Sequence, residues 1–585
     1  MRPAPGSRRC FRPTTYSRWC MPLALAAGLA CTRAPETVFS LVPPTWFEDG
    51  WSYFELSADG RHALFGARFG LKLADLREGR LDPTSYASPG AARRAAGPAA
   101  AIAWGGDRVA DLALPDEALA RLSPDGSKLA FFVPGTPRLT AGARNALRTY
   151  ELDGIVTGMG WVPRGDLLYI GVLHAEGWSS LDRLNAETGA LQPVRERLDA
   201  PPRFNSVAVS PDSRVLYLAL ASDSVPPDAE RHRPEADRDT DIYALDLAKG
   251  TLTPVVQGPG DDFYPIIAGG YLCWTHNDFR DQVVVVPAAG GEARLVVAGA
   301  QIPFWSPDGR HLAYTYGSWR IADWALNLDA AVVSLDDSLR PAGPPRPIVT
   351  GYHEDFTPAW SPRGNWVAYH SHRSPLPVPG YASPGSTDDI YLRRPDAPMA
   401  SEQRLTDWGW EVGLADWAPD GSRLVFDSWD RRGPPGVAHP WIVTIDTATG
   451  RVLERRRLKL PDTTGGPLLA SWSPQGDQIA LVTREAAGRQ ALWLVAPDGS
   501  RARRLISFAN ATYGGLDWMP DGSSVVYAAL VGERTQLFRL ALAGGSAVQL
   551  THDAANLLHP QVSPDGRWIA ATRLEHRKSL NRKPL

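Results

Sequence analysis

The stretch Phe304-Trp305-Ser306-Pro307-Asp308-Gly309-Arg310-His311-Leu312-Ala313-Tyr314 decides the fold of this chain. Trp305 ends one apolar run, and the segment from Leu312 begins another. Between them, Pro307 presets φ for a turn, Asp308 can accept nearby backbone N–H groups, and Gly309 tolerates the left-handed conformation. The stretch therefore predicts two antiparallel strands joined by a tight turn.

This turn recurs along the chain, which predicts a repeat architecture. Related tetrapeptides stand at 57–60, 123–126, 162–165, 210–213, 306–309, 361–364, 418–421, 473–476, 519–522 and 563–566. From Ser306 onward the steps are 55, 57, 55, 46 and 44 residues. The step before Ser306 is about twice as long. A degenerate copy fills it, because Asp262 to Ile267 parallels Asp355 to Trp360.

Each copy continues into a second apolar hairpin, such as Asp241 to Pro254 around the turn Lys249-Gly250. Two hairpins make a four-stranded antiparallel unit of the size of a propeller blade. About eleven such blades exceed one ring, so we predict an all-β fold of tandem β-propellers. The expected domains are residues 32–299, with five blades and a poorly marked sixth near 101–114, and a six-bladed ring at 300–585. The last copy is short, and Val38 to Leu41 is a candidate for one of its missing outer strands.

The repeat residues are expected to be structural. A tryptophan before the turn can bury on the order of 200 Å² between neighbouring blades; the alternative is a ligand-stacking role. The structural set comprises Trp305, Pro307, Asp308, Gly309, Trp360, Trp417, Trp472 and Trp518.

The pattern Trp-Ser-Pro-Asp-Gly followed by Leu-Ala-Tyr resembles the WD40-like repeat of TolB-type propellers, which also occurs in tricorn and prolyl-oligopeptidase peptidases. The resemblance extends over residues from about 50 to 570. It implies a propeller, and a non-enzymatic protein that binds a partner. A TolB-like N-terminal α/β domain and a peptidase domain are both absent from the expected organisation. Membership of the Tol–Pal system therefore stays open.

The N-terminal segment predicts export. Several arginines precede a short apolar run from Leu23 to Ala30, and Cys31 follows at once. This arrangement is typical of a signal peptide, here residues 1–31. It resembles a bacterial lipoprotein signal, which would make Cys31 the lipidated residue. The alternative is ordinary cleavage that leaves Cys31 free. Ser7-Arg8-Arg9-Cys10-Phe11 also resembles a twin-arginine motif.

Composition limits the partners. The net charge of −3 gives no basic footprint for nucleic acid. No later stretch is apolar enough for a transmembrane helix, so contact with the membrane is expected only through the N-terminal lipid. We expect a monomer.

One local group of residues could carry chemistry. His370 and His372 are two apart on a predicted strand and so share a face. His353 and Asp355 precede the partner strand of the same hairpin. Imidazoles and carboxylates together can hold a divalent metal, the one cofactor that the sequence suggests. The alternative is a polar strand end at the propeller mouth.

No Gly-x-Ser-x-Gly, P-loop, His-Glu-x-x-His or Cys-x-x-Cys motif stands in the sequence. The expected function is therefore a non-enzymatic binding or scaffold protein of the bacterial cell envelope, which engages a protein or peptide through rim loops. One alternative is a hydrolase or polysaccharide lyase with its site in a propeller mouth. Another is an accessory subunit of a separate peptidase.

Overall fold

The computed structural model describes residues 36–41, 54–56, 62–67, 70–75, 80–81 and 119–585. The last range excludes 124–126, 134–135, 144, 164–165, 175–178, 199–201, 222–239, 259, 319–326, 351–353, 374–386, 397–400, 408–410, 430–437, 461–466, 486–488, 510–513 and 533. Cys31, His353 and the candidate blade at 101–114 lie outside these residues. In the described part, the regular elements are β-strands, numbered β1 to β43.

The strands of the N-terminal half form four-stranded antiparallel sheets in chain order. Strand β1 is Glu36–Leu41, and the first sheet is β2 (Phe54–Leu56), β3 (His62–Ala67), β4 (Gly70–Asp75) and β5 (Arg80–Leu81). The second is β6 (Leu119–Leu122), β7 (Lys128–Phe132), β8 (Arg138–Ala143) and β9 (Ala146–Glu151). The third is β10 (Ile155–Trp161), β11 (Leu167–Leu173), β12 (Ser179–Asn185) and β13 (Leu191–Leu198). The fourth is β14 (Pro202–Val209), β15 (Val215–Ala221), β16 (Thr240–Asp246) and β17 (Leu252–Val256). Strands β18 (Asp261–Ala268), β19 (Tyr271–Pro287) and β20 (Arg294–Ala298) follow.

Five further sheets follow in the C-terminal half. The first two are β21 (Ala300–Trp305), β22 (His311–Ser318), β23 (Asn327–Ser334), β24 (Arg346–Val349), and β25 (Glu354–Trp360), β26 (Val367–Arg373), β27 (Thr387–Arg393), β28 (Gln403–Arg404). The third is β29 (Glu411–Val412), β30 (Asp416–Trp417), β31 (Arg423–Trp429), β32 (Ala438–Ile445) and β33 (Val452–Arg457). The fourth and fifth are β34 (Pro467–Trp472), β35 (Ile479–Arg484), β36 (Arg489–Val495), β37 (Ala502–Ala509), and β38 (Leu516–Trp518), β39 (Ser524–Val531), β40 (Arg534–Ala541), β41 (Val548–Gln549). The chain ends with β42 (Asn556–Val562) and β43 (Trp568–Pro584).

These sheets confirm the predicted tandem β-propeller fold, including a blade at the degenerate copy. The turn from Ser306 to Gly309 has the predicted hydrogen bonds and backbone conformation. The Ser306 hydroxyl donates to Asp308 (2.5 Å), Asp308 accepts the N–H of Arg310 (3.0 Å), and Gly309 has a φ of 69°. The turn thus satisfies its own polar groups and returns the chain into β22.

One sheet joins the two propellers. Strands β19 and β43 are each 17 residues long and pair along their whole length, from Tyr271 opposite Pro584 to Pro287 opposite Trp568. At one end of the pair, β18 and β1 complete a blade; at the other end, β42 and β20 complete another. We call this sheet the shared sheet. It supplies one four-stranded blade to each ring.

The shared sheet corrects the expected division at residue 300. The second half of β19 and all of β20 lie before that residue, yet they belong to the C-terminal ring. The end of β43 lies far after it and belongs to the N-terminal ring. Strand β1 does tie the termini together, since it pairs with the end of β43. The outer strands of the last sequence copy come instead from β19 and β20.

Hydrogen bonds across the seams between blades close the C-terminal ring. The indole N–H of Trp305 donates to the Gln561 carbonyl (3.0 Å), that of Trp417 to Ala359, and that of Trp518 to Ser471. The remaining three seams are bridged by Thr357 N–H to the Thr315 hydroxyl, Trp472 N–H to Asp416, and Val562 N–H to Asp517. The ring therefore has six blades, five of them built from consecutive strands.

Candidate functional site: the faces that meet at the shared sheet

Each ring has two different faces. The first strand of a blade ends at the Ser-Pro-Asp-Gly-type turn, on what we call the turn face. The second strand runs back and ends on the opposite face, which we call the junction face. Because β43 is the second strand of its C-terminal blade and continues directly into the N-terminal ring, it leaves from the junction face. β19 leaves the N-terminal ring in the same way. The shared sheet therefore joins the rings through their junction faces.

On the junction face, the sequence between the second and third strands of several blades is long. Eight or more residues separate β15 from β16, β22 from β23, β26 from β27 and β31 from β32. Long loops on a rigid scaffold are where binding residues concentrate. Their strand ends are thus the first place to look for functional side chains.

The predicted histidine cluster lies at one such strand end. His370 and His372 are buried on β26, and the His370 ring packs against Phe356 with centroids 4.2 Å apart. Asp355 on β25 pairs with Ser371, and directly opposed residues share a face of the sheet. Asp355 therefore lies on the face opposite to the two histidines. Among the described residues, no group of three or more His, Cys, Asp or Glu side chains is placed to hold a metal ion. The metal site stays a prediction.

Other polar groups near this strand end bond to one another. The Arg373 guanidinium donates to both carboxylate oxygens of Glu402 (2.7 and 3.0 Å) and lies 3.8 Å from the Tyr391 ring centroid. Asp389 accepts the Thr406 hydroxyl (2.7 Å) and an N–H of Arg404 (2.6 Å). These bonds fix the ends of β26 and β27, so the charges there stabilise the blade itself.

Asp427, on β31 of the neighbouring blade, has no such hydrogen bonds to its side chain. Its side chain is 1% exposed, and neither carboxylate oxygen has a hydrogen-bond partner. Burial raises its pKa to about 8. Gly413 lies against it, and a Cβ there would come within 1.9 Å of Asp427 Oδ1. The equivalent side chains of two other blades, Thr315 and Thr572, instead accept a backbone N–H across the seam.

On the junction face of the N-terminal ring, a histidine pairs with a buried carboxylate. Asp262 is 3% exposed and accepts the indole N–H of Trp274 (2.7 Å). The Nδ1 atom of His276 lies 2.9 Å from the same oxygen. His276 stands near the point where β19 leaves the ring. A carboxylate in this position fixes the orientation of the imidazole.

Sequence reasoning missed two carboxylates at the centre of the C-terminal ring. Asp416 and Asp517 stand directly before the repeat tryptophans of their blades, where other copies have Phe304, Ala359 or Ser471. A comparison of the copies at this position could have singled them out. Both side chains are partly exposed, and each accepts a backbone N–H of the next blade.

No family model matches the chain. An uncharacterized protein of Agrobacterium fabrum is 29% identical over 158 residues, which cover 26% of this chain and 48% of that protein. The chain thus matches about half the length of this relative. The uncharacterized protein YidR of Escherichia coli is 24% identical over 418 residues, 67% of this chain and 84% of the relative.

Among solved structures, a protein described as TolB from Agrobacterium tumefaciens is 19% identical, with a TM-score of 0.36. The match covers 51% of this chain and 99% of that one. These matches assign no activity, substrate or partner. The tandem β-propeller fold is established by the sheet topology. No described residues form a helix long and apolar enough to cross a membrane.

Proposed function

We propose that this protein is a non-enzymatic binding or scaffold protein of the bacterial cell envelope, and that it engages a protein or peptide partner between its two junction faces. The observation that carries the proposal is the shared sheet. It joins the two rings through their junction faces, so both faces point toward one junction. A partner seated there can contact both rings, which a single propeller does not offer.

The envelope location is supported by the N-terminal sequence. Arginines, the apolar run Leu23 to Ala30 and Cys31 form the pattern of an exported lipoprotein. Lipidation at Cys31 would anchor the protein while leaving both rings in the aqueous phase. Replacement of Cys31 by Ser should then move the protein from the membrane fraction to the soluble envelope fraction. Retention of the variant in the membrane fraction would contradict the lipid anchor.

Site-specific photo-crosslinking tests the binding face. A photoreactive residue at Arg280, on the strand that bridges the rings, should capture a partner in envelope preparations. Arg280 is exposed, with 63% of its side chain accessible. The matched control is the same residue at Arg310, which is exposed on the turn face. A crosslinked protein or peptide from Arg280 but not from Arg310 is the expected result.

Two outcomes count against the proposal. Equal capture from both positions would indicate non-specific contact. Capture from Arg310 alone would place the binding surface on the turn face.

A further inference from the structure

The outer edges of two neighbouring blades of the C-terminal ring carry an excess of positive charge. β33 and β37 are the last strands of their sheets, at the edge opposite the first strands. Segments 451–460 and 501–504 hold eight basic residues and a single acid, Glu454, although the whole chain has a net charge of −3. We call these basic residues the basic rim. They are Arg451, Arg455, Arg456, Arg457, Lys459, Arg501, Arg503 and Arg504.

Contacts between the blades bring the two segments side by side. The Arg456 guanidinium donates to the carbonyl of Pro497, in the turn that precedes β37 (2.7 Å). Gly499 of the same turn lies against Lys459, and a Cβ added to this glycine would come within 3.2 Å of the Lys459 Cβ. Arg501 follows two residues later. The basic residues of β33 and those at the start of β37 therefore form one continuous surface.

Most of this charge is not neutralised within the protein. Arg455 pairs with Asp407 (3.1 Å), and Arg504 pairs with Glu485. The six other members of the basic rim form no ion pair in the part of the chain that the structure describes. Five of the six are exposed, and Arg456 is partly exposed. The rim thus presents several cations to a partner.

The side chain of Arg457 illustrates this excess. It donates to the Nδ1 atom of His439 (2.6 Å). Desolvation and the Arg457 charge lower the pKa of His439 below its usual value, which keeps the imidazole neutral at pH 7. Arg457 therefore contacts a neutral group and keeps its full charge toward solvent.

The geometry of the basic rim suits an extended chain better than a flat surface. Arg455 and Arg457 are two apart on β33, so they share a face and lie roughly 7 Å apart along the strand. Arg456 points to the other side, toward the next blade. The cations therefore flank an edge strand on both sides, whereas a planar membrane would need them on one plane. An extended polypeptide repeats its side chains at the same spacing.

We propose that the basic rim binds an acidic, extended segment of a partner polypeptide. Arginine recognises carboxylates through two parallel hydrogen bonds, and seven of the eight rim residues are arginines. Leu453, with 56% of its surface accessible, stands among them and offers an apolar contact beside the charges. The inference is independent of the junction-face proposal, because the rim lies on the outer edge of one ring.

Fluorescence anisotropy of a labelled peptide of alternating glutamate and threonine, titrated with the full chain, tests the proposal. We expect saturable binding that weakens strongly as salt rises from about 0.05 to 0.5 M, because salt screens exposed charges. A peptide of alternating lysine and threonine should not bind. The double variant Arg457→Gln, Arg503→Gln should weaken binding at least about fivefold, since two charge pairs are lost.

The variants are chosen to preserve folding. The Arg503 side chain makes no hydrogen bond or ion pair among the described residues, and the amide that replaces Arg457 can still donate to His439. Thermal unfolding verifies that the variant is folded. The matched control is the double variant Arg310→Gln, Arg340→Gln, which removes two exposed cations from turns of the same ring. It should bind the acidic peptide like the unmodified protein.

Several outcomes would overturn the proposal. These are no binding of the acidic peptide, binding that Arg457→Gln with Arg503→Gln leaves unchanged, and an equal loss in the control variant. Vesicles of phosphatidylglycerol are tested beside the peptide. Binding of the vesicles without binding of the peptide would assign the basic rim to a lipid surface instead. Failure of the crosslinking test at the junction faces would not affect the result, since this titration uses purified protein and a synthetic probe.

Discussion

The consecutive blades and the two blades of the shared sheet reach the same architecture by different routes. In a consecutive blade, four strands follow one another and short turns fix the register locally. In the shared sheet, β1 and β43 come from opposite ends of the chain and meet β18 and β19 from its middle. The seams beside both kinds of blade use the same bonds. For example, the Ile302 N–H donates to Thr572 of the shared sheet (2.8 Å), as Thr357 does to Thr315 between consecutive blades.

Ring closure therefore depends on strands that are remote in sequence, whereas the hydrogen bonds between neighbouring blades are the same in both kinds of blade. The C-terminal ring needs β19 to fill its last blade, and the N-terminal ring needs the end of β43. Long-range strand pairing costs chain entropy before it yields contacts, so these blades should form late in folding.

The largest effect should come from removing the end of β43. Deletion of residues 576–585 takes away the third strand of the shared blade in the N-terminal ring and the partner of β1. It leaves residues 568–575, which serve the C-terminal ring. We expect the N-terminal ring to lose cooperative folding and protection from hydrogen exchange, while the C-terminal ring retains both. Hydrogen exchange with mass spectrometry resolves the two.

Removal of the edge strand β1 alone provides the control. Replacement of residues 36–41 by a Gly-Ser linker removes only the edge strand β1, and the loss of protection should be smaller. Equal loss in both rings after the 576–585 deletion would show that the rings fold as one unit.

The next effect on stability concerns Asp427, a buried acid at a seam position whose carboxylate oxygens have no hydrogen-bond partner. Asp427 has a pKa raised from 3.8 to about 8. A carboxyl with a raised folded-state pKa stabilises the fold most when protonated, so its contribution is lost as pH rises from about 4 to about 8. Asp427→Asn removes this dependence. At pH 9 the variant should be more stable than the unmodified protein by at least about 1 kcal/mol.

Chemical denaturation at pH 4.5 and pH 9 measures this difference, which should be small at the lower pH. Asp420→Asn is the control of opposite sign. Hydrogen bonds to Ser422 and the charge of Arg423 hold the pKa of Asp420 below its usual value, although desolvation opposes them. That carboxylate stabilises the fold above its unfolded-state pKa. A pH-independent effect at Asp427 would mean that the carboxyl is not titrating in the folded state.

A smaller effect on stability should distinguish the tryptophans that precede the repeat turns. Trp305 donates its indole N–H across the seam to the shared sheet, whereas the Nε1 atom of Trp360 has no hydrogen-bond partner. Trp305→Phe should cost about 1 kcal/mol more than Trp360→Phe, because it also removes a hydrogen bond. Trp417→Phe, between consecutive blades, should match Trp305→Phe. Urea denaturation measures all three, and a markedly larger cost at Trp305 would show that the shared seam differs energetically.

The repeat was readable from sequence because each turn is local. Ser306 to Gly309 contains its own donors, acceptor and left-handed residue, so the hairpin follows from adjacent residues. The shared sheet could not be read in that way. The polar segment from His276 to Gln282 separates two apolar runs, which suits a loop as well as a strand bridging two rings. The basic end of β43 likewise resembles a solvent-exposed tail until its partners on β19 are known.

The geometry of the candidate sites likewise could be predicted from the sequence only in part. The spacing of His370 and His372 correctly predicts a common face, but only the register with β25 reveals that Asp355 faces away from them. Asp416 is inconspicuous in sequence, because only the packing of neighbouring blades shows that it accepts the Trp472 N–H of the next blade. Local pattern thus identifies blades, and the relation between blades determines what their side chains can bind.

The smallest expected effect compares turns of the two rings. Ser213 occupies the fourth turn position in the N-terminal ring with a φ of 59°, where Gly309 has 69° in the C-terminal ring. A residue with a Cβ pays a steric cost of roughly 1 kcal/mol in this conformation, which glycine avoids. Ser213→Gly should therefore stabilise its ring by up to about 0.5–1 kcal/mol. The greater conformational entropy of glycine in the unfolded state offsets part of this gain. Gly309→Ser should destabilise by a similar amount. Thermal unfolding of both variants measures the pair, and a loss of stability in Ser213→Gly would show that the serine side chain contributes more than its backbone strain costs.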